Sequence, residues 1–129
     1  MPKVLVIDDD DIVRELLVSL LQEEGYDAFE LPSPIGATRL LSREGIRIVV
    51  LDVMMPSMSG DKLAKMLRSN PRFGSIGIVL ISGCDHEELI ALAKSVNANA
   101  IVSKATVRTT LLPAVARVAA STLPHAVGD

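Results

Sequence analysis

Acidic, hydroxyl and ammonium side chains follow directly after short apolar segments at several points of the chain. They are Asp8, Asp9, Asp52, Ser82 and Lys104. Clustered carboxylates raise one another's pKa, and a divalent cation relieves that repulsion. Mg²⁺ suits such a cluster because it takes few carboxylates, keeps bound water and bridges to phosphate oxygens. A carboxylate beside this cation can attack a phosphoryl group, while the ammonium and the hydroxyl contact the transferred oxygens.

The apolar segments predict the strands of a parallel sheet. They cover residues 4–7, 46–51, 76–81 and 100–102, and a weaker strand is predicted at residues 27–31. The first four are apolar at nearly every position, which is typical of strands covered by helices on both faces.

Five stretches with helical patterning separate and follow the strands. The first helix is predicted to have Asp10 as its cap and to end at Gly25, and the second to begin at Ser33-Pro34 and end at Gly45. The third is predicted from Ser59 to Ser69. Asp85 should cap the fourth, and the fifth should run from about Thr109 to Thr122. Pro113 is tolerated only near a helix start, because the first N–H groups have no partner to lose. We therefore expect the fifth helix to begin at Thr109 or Thr110.

Strands that alternate with helices predict an α/β fold with a doubly wound parallel sheet and right-handed crossovers. Ligands of such sheets bind outside the carboxyl ends of the strands. Because all five polar residues follow strands, we expect them to converge at that edge.

Composition limits the other possible functions. The 129 residues form one domain, and a net charge of −3 without a basic excess argues against direct nucleic-acid binding. One cysteine excludes an internal disulfide framework. No apolar run reaches the ~18 residues of a membrane span, and Asp8 precedes any possible signal-peptide core. These features predict a cytoplasmic protein that does not bind membranes.

Four segments carry a resemblance to a known family: VLVIDDDDIVRELL, VVLDVMMPSMSG, LISG and AIVSKA. They resemble the receiver domain of two-component response regulators, of the single-receiver type found in chemotaxis regulators, over about residues 3–120. The resemblance implies a flavodoxin-like five-stranded sheet in the order 2-1-3-4-5. It also implies a receiver domain at residues 1–122, with residues 123–129 as a tail or the start of a linker.

The resemblance assigns metal-binding roles at the first and third strand ends. Asp9 would ligate Mg²⁺ directly and Asp8 through water, with Arg14 aligning the pair. The carboxylate of Asp52 and the backbone carbonyl of Met54 would complete the set of protein ligands to the ion.

The resemblance likewise assigns the phosphoryl chemistry. Asp52 would accept a phosphoryl group from a sensor histidine kinase or a phosphotransfer protein, while Ser82 and Lys104 contact the transferred group. Such a receiver is not a metabolic enzyme, but it catalyses its own phosphorylation and slow dephosphorylation. It then signals to a downstream protein partner or a fused effector domain, and whether this receiver stands alone stays open.

Three positions depart from the family pattern. Ile101 replaces the aromatic residue that normally moves with Ser82 during switching, so we expect an altered switch at these two residues. Ala105 replaces the proline after the lysine; a non-proline cis bond costs about 2.5–4 kcal/mol, so we expect a strained bond or a rebuilt loop. Gly83 replaces a larger residue and should widen access to Asp52.

Two alternative functions and one interface are also considered. A pseudo-receiver would bind a partner without phosphorylation, and a haloacid-dehalogenase-type phosphohydrolase would use Asp8 as its nucleophile. Charge is almost absent from residues 111–120, where Arg117 is the only charged residue. Apolar surface beyond what a core requires often marks an interface. The resemblance implies that such domains dock or dimerise through the fourth helix, fifth strand and fifth helix, so we expect partner binding or a homodimer there.

Overall fold

The computed structural model of the chain describes residues 2–55 and 59–122, in which five strands alternate with five helices. The elements are β1 (Lys3–Ile7), α1 (Asp11–Glu23), β2 (Asp27–Leu31), α2 (Ala37–Glu44), β3 (Ile48–Asp52), α3 (Gly60–Ser69), β4 (Gly77–Ser82), α4 (His86–Val96), β5 (Ala100–Ser103), a 3₁₀ turn (Lys104–Thr106) and α5 (Val107–Thr122). The predicted tail at residues 123–129 lies outside the described residues.

The strands form one parallel sheet in the order β2-β1-β3-β4-β5, which confirms the predicted flavodoxin-like fold. β3 is the central strand, and its last residue, Asp52, pairs with Ile81 of β4. Ile7 at the end of β1 pairs with Leu51 on the other side. The carboxyl ends of β1, β3 and β4 are therefore in register.

The core consists of two apolar clusters, one on each face of the sheet. One cluster takes Leu5 and Ile7 from β1 and packs them against α2, α3 and α4. The other takes Val4 and Val6 from the same strand and packs them against α1 and α5. Side chains alternate between faces along a strand, so a strand buried on both sides must be apolar throughout.

Polar caps begin two of the helices as predicted. Asp10 Oδ1 accepts hydrogen bonds from the N–H groups of Ile12 and Val13 at 3.0 and 3.2 Å, which starts α1. Asp85 Oδ1 accepts one from the Glu87 N–H at 2.7 Å, which starts α4. Such caps accept hydrogen bonds from the first N–H groups of a helix, which have no acceptor within the helix itself.

The predicted start of the second helix is wrong. α2 begins at Ala37, because Gly36 adopts a left-handed conformation with φ of 84° that no helix can include. Ser33 Oγ accepts a hydrogen bond from the Ile35 N–H at 3.3 Å, so Ser33 and Pro34 belong to a turn before the helix. The end was predicted correctly: Gly45, with φ of 67°, follows the last helical residue.

The predicted start of the fifth helix is also wrong. α5 begins at Val107 and therefore contains Pro113 well inside it. The hydroxyls of Thr109 and Thr110 do not cap the helix but donate back to the Thr106 carbonyl at 3.1 and 2.9 Å. Proline cannot donate to the carbonyl four residues earlier, that of Thr109. Thr109 and Pro113 are both exposed, so water can donate to the Thr109 carbonyl in place of the missing N–H.

None of the helices in the described part of the chain has the length and apolar character that a bilayer crossing requires.

Candidate functional site

The predicted site residues meet at the carboxyl edge of the sheet. Asp8 follows β1, Asp52 and Ser82 are the last residues of β3 and β4, and Lys104 follows β5. Asp8 and Ser82 are fully buried and Asp52 is 1% exposed. Within the described ranges, these three are the polar side chains that the fold buries. The sheet topology thus brings together residues that lie up to 96 positions apart in sequence.

Three carboxylates form the acidic part of the site. Carboxylate oxygens of Asp8, Asp9 and Asp52 lie within 4.8 Å of one another, and Asp9 alone of the three is exposed. Backbone N–H groups hold the buried pair: Asp10 donates to Asp8 Oδ1 at 2.9 Å, and Met54 donates to Asp52 Oδ1 at 3.2 Å. The sequence did not reveal these contacts, because a backbone donor leaves no side-chain signature.

Lys104 places a positive charge between the two buried carboxylates. Its Nζ lies 3.4 Å from Asp8 Oδ2 and 3.4 Å from Asp52 Oδ2. Neither of these Oδ2 atoms accepts a hydrogen bond within the described residues, although both are buried. Buried polar atoms are normally hydrogen-bonded, so two such oxygens side by side mark a site with spare acceptor capacity.

The electrostatic environment changes the protonation of the site. Burial, together with the charge of Asp8, raises the pKa of Asp52 to about 6, although the Met54 N–H and Lys104 act in the opposite direction. Burial alone would lower the pKa of Lys104, but the charges of Asp52 and Asp8 outweigh burial and raise it. Lys104 therefore stays cationic, while Asp52 is ionised only above about pH 6.

Arg14 fixes the backbone next to the acidic pair. Its guanidinium donates to the Asp8 carbonyl at 2.7 Å, to Asp11 at 2.6 Å and to Glu30 at 3.0 Å. The hydrogen bonds that Arg14 donates to these two acids raise its pKa, the contact with Asp11 contributing most. Arg14 thus contacts the main chain of Asp8 and not its carboxylate.

Gly60 allows the start of α3 to approach Asp52. A Cβ atom at position 60 would lie 2.3 Å from the Asp52 carbonyl oxygen, a distance that real Cβ atoms do not reach. The Gly60 N–H donates to the Val53 carbonyl at 3.0 Å, which joins the helix start to the end of β3. The last glycine of the VVLDVMMPSMSG segment is therefore required by close backbone contact.

The family model of the response regulator receiver domain matches residues 4–116. The chain belongs to this family. Among curated relatives, this receiver domain is 28% identical to the aerobic respiration control protein ArcA of Escherichia coli over 103 residues, which make up 80% of the chain and 42% of that protein. It is 36% identical to the transcriptional regulatory protein AruR of Pseudomonas aeruginosa over 92 residues, 67% of the chain and 36% of that protein. The chain thus spans about two fifths of the length of these relatives.

Solved structures give the same result for the fold. The chemotaxis protein CheY4 of Vibrio cholerae matches with a TM-score of 0.83 and 26% identity, covering 92% of this receiver domain and 98% of that chain. The receiver domain of the Francisella response regulator 1452 matches with a TM-score of 0.84 and 26% identity, covering 95% and 100%.

The departures from the family pattern are visible around the site of this receiver domain. The Ser82 Oγ accepts a hydrogen bond from the Cys84 N–H at 3.0 Å. Gly83 between them is exposed, and a Cβ atom there would meet nothing within 4 Å, so the loop leaves open space beside the site. Ile101 is half-buried and packs against the core cluster that contains Leu5 and Ile7.

The loop after β5 is rebuilt around a trans peptide. No cis bond occurs in the described parts of the chain, so Lys104 and Ala105 are joined in the ordinary trans form. Residues Lys104–Thr106 form a 3₁₀ turn, and the Ala105 N–H donates to the Ser103 Oγ at 3.2 Å. Of the two expected solutions, a strained cis bond or a changed loop, this receiver domain has the second.

The donor set of the acidic cluster fits a magnesium ion. All its ligand atoms are carboxylate oxygens, the type that Mg²⁺ prefers, and Asp8 and Asp52 each have a buried Oδ2 that accepts no hydrogen bond in the described structure. Receiver domains typically bind Mg²⁺, and the cluster of this chain has the residues to do so.

Proposed function

We propose that this receiver domain accepts a phosphoryl group on Asp52 from a phosphohistidine of a sensor histidine kinase or phosphotransfer protein. The observation that carries the proposal is the Asp52 Oδ2 atom, which is buried, faces Lys104 and accepts no hydrogen bond within the described residues. An oxygen held this way keeps a lone pair for attack on phosphorus, and it lies on the central strand of a family that works by phosphorelay.

In the proposed reaction an Asp52 oxygen forms a bond to phosphorus while the phosphorus–nitrogen bond of the donor breaks. The electron pair of that bond stays on the imidazole nitrogen. Lys104 Nζ contributes a positive charge beside the transferred oxygens, and the Ser82 hydroxyl can turn from its Cys84 contact to donate to one of them. Asp52 must be ionised to attack, and a cation beside it favours that ionised form.

Mg²⁺ would be held by Asp8, Asp9, Asp52 and the backbone carbonyl of Met54, where its charge offsets that of the phosphoryl oxygens. Asp9 is exposed, which suits direct ligation, whereas Asp8 already accepts the Asp10 N–H and contacts Lys104. Water between Asp8 and the ion is consistent with these contacts.

Labelling with acetyl phosphate and Mg²⁺ tests the proposal. We expect wild-type protein to take up phosphate and Asp52→Asn to take up none, because the amide cannot attack. Asp27→Asn is the matched control, since Asp27 is exposed at the amino end of β2 and should label normally. Equal labelling of wild type and Asp52→Asn would exclude Asp52 as the acceptor. Failure of beryllofluoride to bind the wild type with Mg²⁺ would favour a pseudo-receiver instead.

We propose that the output face consists of α4, β5 and α5, and that it binds a downstream partner, a fused effector domain or a second copy. The apolar excess on α5 is smaller than the sequence indicated, because Ala114 and Ala119 are 2% and 7% exposed and belong to the core. Leu112 is half-buried, and Ala116 and Ala120 remain exposed on the outer face.

The burial of the helix residues decides which variant can test this face. Ala119→Glu would place a charge in the core, so it cannot report on an interface. Ala116→Glu changes an exposed position and should leave Asp52 labelling intact while it reduces self-association or partner binding of the beryllofluoride form. Unchanged association, measured by sedimentation, would mean that the interface lies elsewhere.

A further inference from the structure

Two adjoining clefts lie at the end of the sheet opposite the carboxylate site. One has a volume of about 270 Å³ and the other about 510 Å³. Both are lined by Ser42 of α2 and by Arg72 and Phe73, which follow α3. The first extends to Ile46 and Ile76, just before β3 and β4, so this pair of clefts opens at the amino ends of the strands. We call the pair the basic cleft.

Arginine is the only charged residue type that lines the basic cleft. The four residues are Arg39, Arg43, Arg47 and Arg72. Arg43 forms an ion pair with Glu44 at 3.3 Å, but Arg39 and Arg47 have no ion-pair partner within the described residues. Four of the 13 lysines and arginines of a chain with net charge −3 are therefore gathered in one concave surface. Like charges gathered on one surface repel one another, and a bound anion would relieve that repulsion.

Part of the basic cleft is already fixed in position. The Arg72 guanidinium donates to the Ser42 Oγ at 2.6 Å and lies 5.9 Å from the centre of the Phe73 ring. A guanidinium held by a hydroxyl and an aromatic ring loses little freedom when it binds an anion, and its planar donors match phosphate oxygens. Ser42 and Ser75 add hydroxyl groups to the same lining.

We propose that the basic cleft binds a small molecule that carries two or more linked phosphate groups. Several arginines around a concave surface suit adjacent phosphates better than a single carboxylate, because each guanidinium can donate to separate oxygens. A nucleic acid would need a broader basic surface than an acidic chain offers. A membrane would need apolar anchors, and none of the four exposed large hydrophobic residues in the described ranges lines the cleft.

Calorimetric titration with inorganic pyrophosphate tests this site on the full chain. Chelator is present throughout, so the carboxylate site cannot bind the probe through a metal ion. We expect saturable 1:1 binding that weakens about fivefold to tenfold in Arg39→Gln and in Arg72→Gln, since each loses charge-assisted hydrogen bonds. Arg39 is exposed and has no hydrogen-bond partner in the described structure, so its variant reports on the cleft even if Arg72→Gln alters the fold.

Two control variants distinguish binding at the basic cleft from a general effect of net charge and from the chemistry proposed at Asp52. Arg117→Gln removes the same charge from α5, on the other face of the sheet, and should keep the wild-type affinity within about twofold. Asp52→Asn should also bind normally, so failure here and failure at Asp52 are distinguishable. ADP should bind at least as tightly as pyrophosphate. No saturation at millimolar pyrophosphate, equal loss in Arg117→Gln, or tighter binding of a DNA duplex would overturn the proposal.

Discussion

The charged groups at the two ends of the sheet differ in how completely they are hydrogen-bonded. At the carboxyl end, Asp8 and Asp52 share one cation, and each keeps a buried oxygen without a hydrogen bond in the described structure. At the amino end, the Arg68 guanidinium in the last turn of α3 donates four hydrogen bonds. Their acceptors are the Asn97, Gly74 and Ile76 carbonyls and the Asn99 Oδ1, at 3.0, 2.9, 2.6 and 2.6 Å.

This difference separates a charge that stabilises the fold from charges that are available for chemistry. Burial lowers the pKa of Arg68, but from a value so high that the group stays cationic, and its hydrogen bonds join the loops before β4 and β5. Burial raises the pKa of Asp52, which means that the folded protein holds this carboxylate ionised at a cost. Such a cost is typical of a functional site, where a ligand supplies the missing contacts.

Removing the Arg68 side chain should have the largest effect on stability. Arg68→Ala leaves three backbone carbonyls without this donor, while the Asn99 Oδ1 keeps only the Ile78 N–H, and we expect it to lower the free energy of unfolding by about 3 kcal/mol. Urea denaturation measures the change. Arg117→Ala, at an exposed position on α5, should cost less than about 0.5 kcal/mol. Equal losses in the two variants would show that the Arg68 contacts do not stabilise the fold.

Neutralising Asp52 should act in the opposite direction. In chelator at pH 8, we expect Asp52→Asn to raise the free energy of unfolding by about 2 kcal/mol, because the amide removes a buried charge that the fold holds unfavourably. A raised pKa means that the folded state binds the proton more tightly than the unfolded state. The gain should therefore be full above about pH 6 and shrink as the pH falls towards 3.8. Thermal melts of wild type and variant across this pH range measure the gain. A wild type more stable than Asp52→Asn at pH 8 would contradict the prediction.

The exposed acid should have the smallest effect on the metal-free fold. Asp9→Ala removes a solvated like charge from the cluster, so we expect a gain of no more than about 0.5 kcal/mol in chelator. Its effect on magnesium affinity should exceed that of Asp8→Ala, as expected for the direct ligand. Melts in chelator and a magnesium titration measure the two quantities. A lower melting temperature for Asp9→Ala without metal would argue against repulsion within the cluster.

The sequence predicted the sheet, and it placed the polar residues at the carboxyl edge where the structure has them, because both depend on where the apolar segments end. β2 has the predicted bounds Asp27–Leu31, and each polar site residue lies at the carboxyl end of the strand assigned to it. The helix starts were harder to predict. Ser33-Pro34 has the chemistry of a helix start, yet the left-handed Gly36 delays α2 to Ala37. Pro113 is tolerated inside α5 because the Thr109 carbonyl that loses its partner is exposed.

The amino end of the sheet could not be predicted from the sequence. Arg68 appears there as one basic residue near a helix end, and its partners lie 6 to 31 positions away in two loops. The arginines of the basic cleft come from α2, the β3 approach and the segment after α3, with no shared motif. Contacts of this kind depend on where the completed fold brings its loops together.

Locating the phosphoryl group on the wild-type chain tests the central claim most directly. After acetyl phosphate and Mg²⁺ treatment, borohydride reduces an acyl phosphate and marks the modified aspartate for mass spectrometry. Trypsin separates residues 4–14, which contain Asp8 and Asp9, from residues 48–62, which contain Asp52. We predict the mark on Asp52 alone. A mark on Asp8 would indicate the haloacid-dehalogenase-type chemistry, and either that result or no mark on Asp52 would contradict this account of the site.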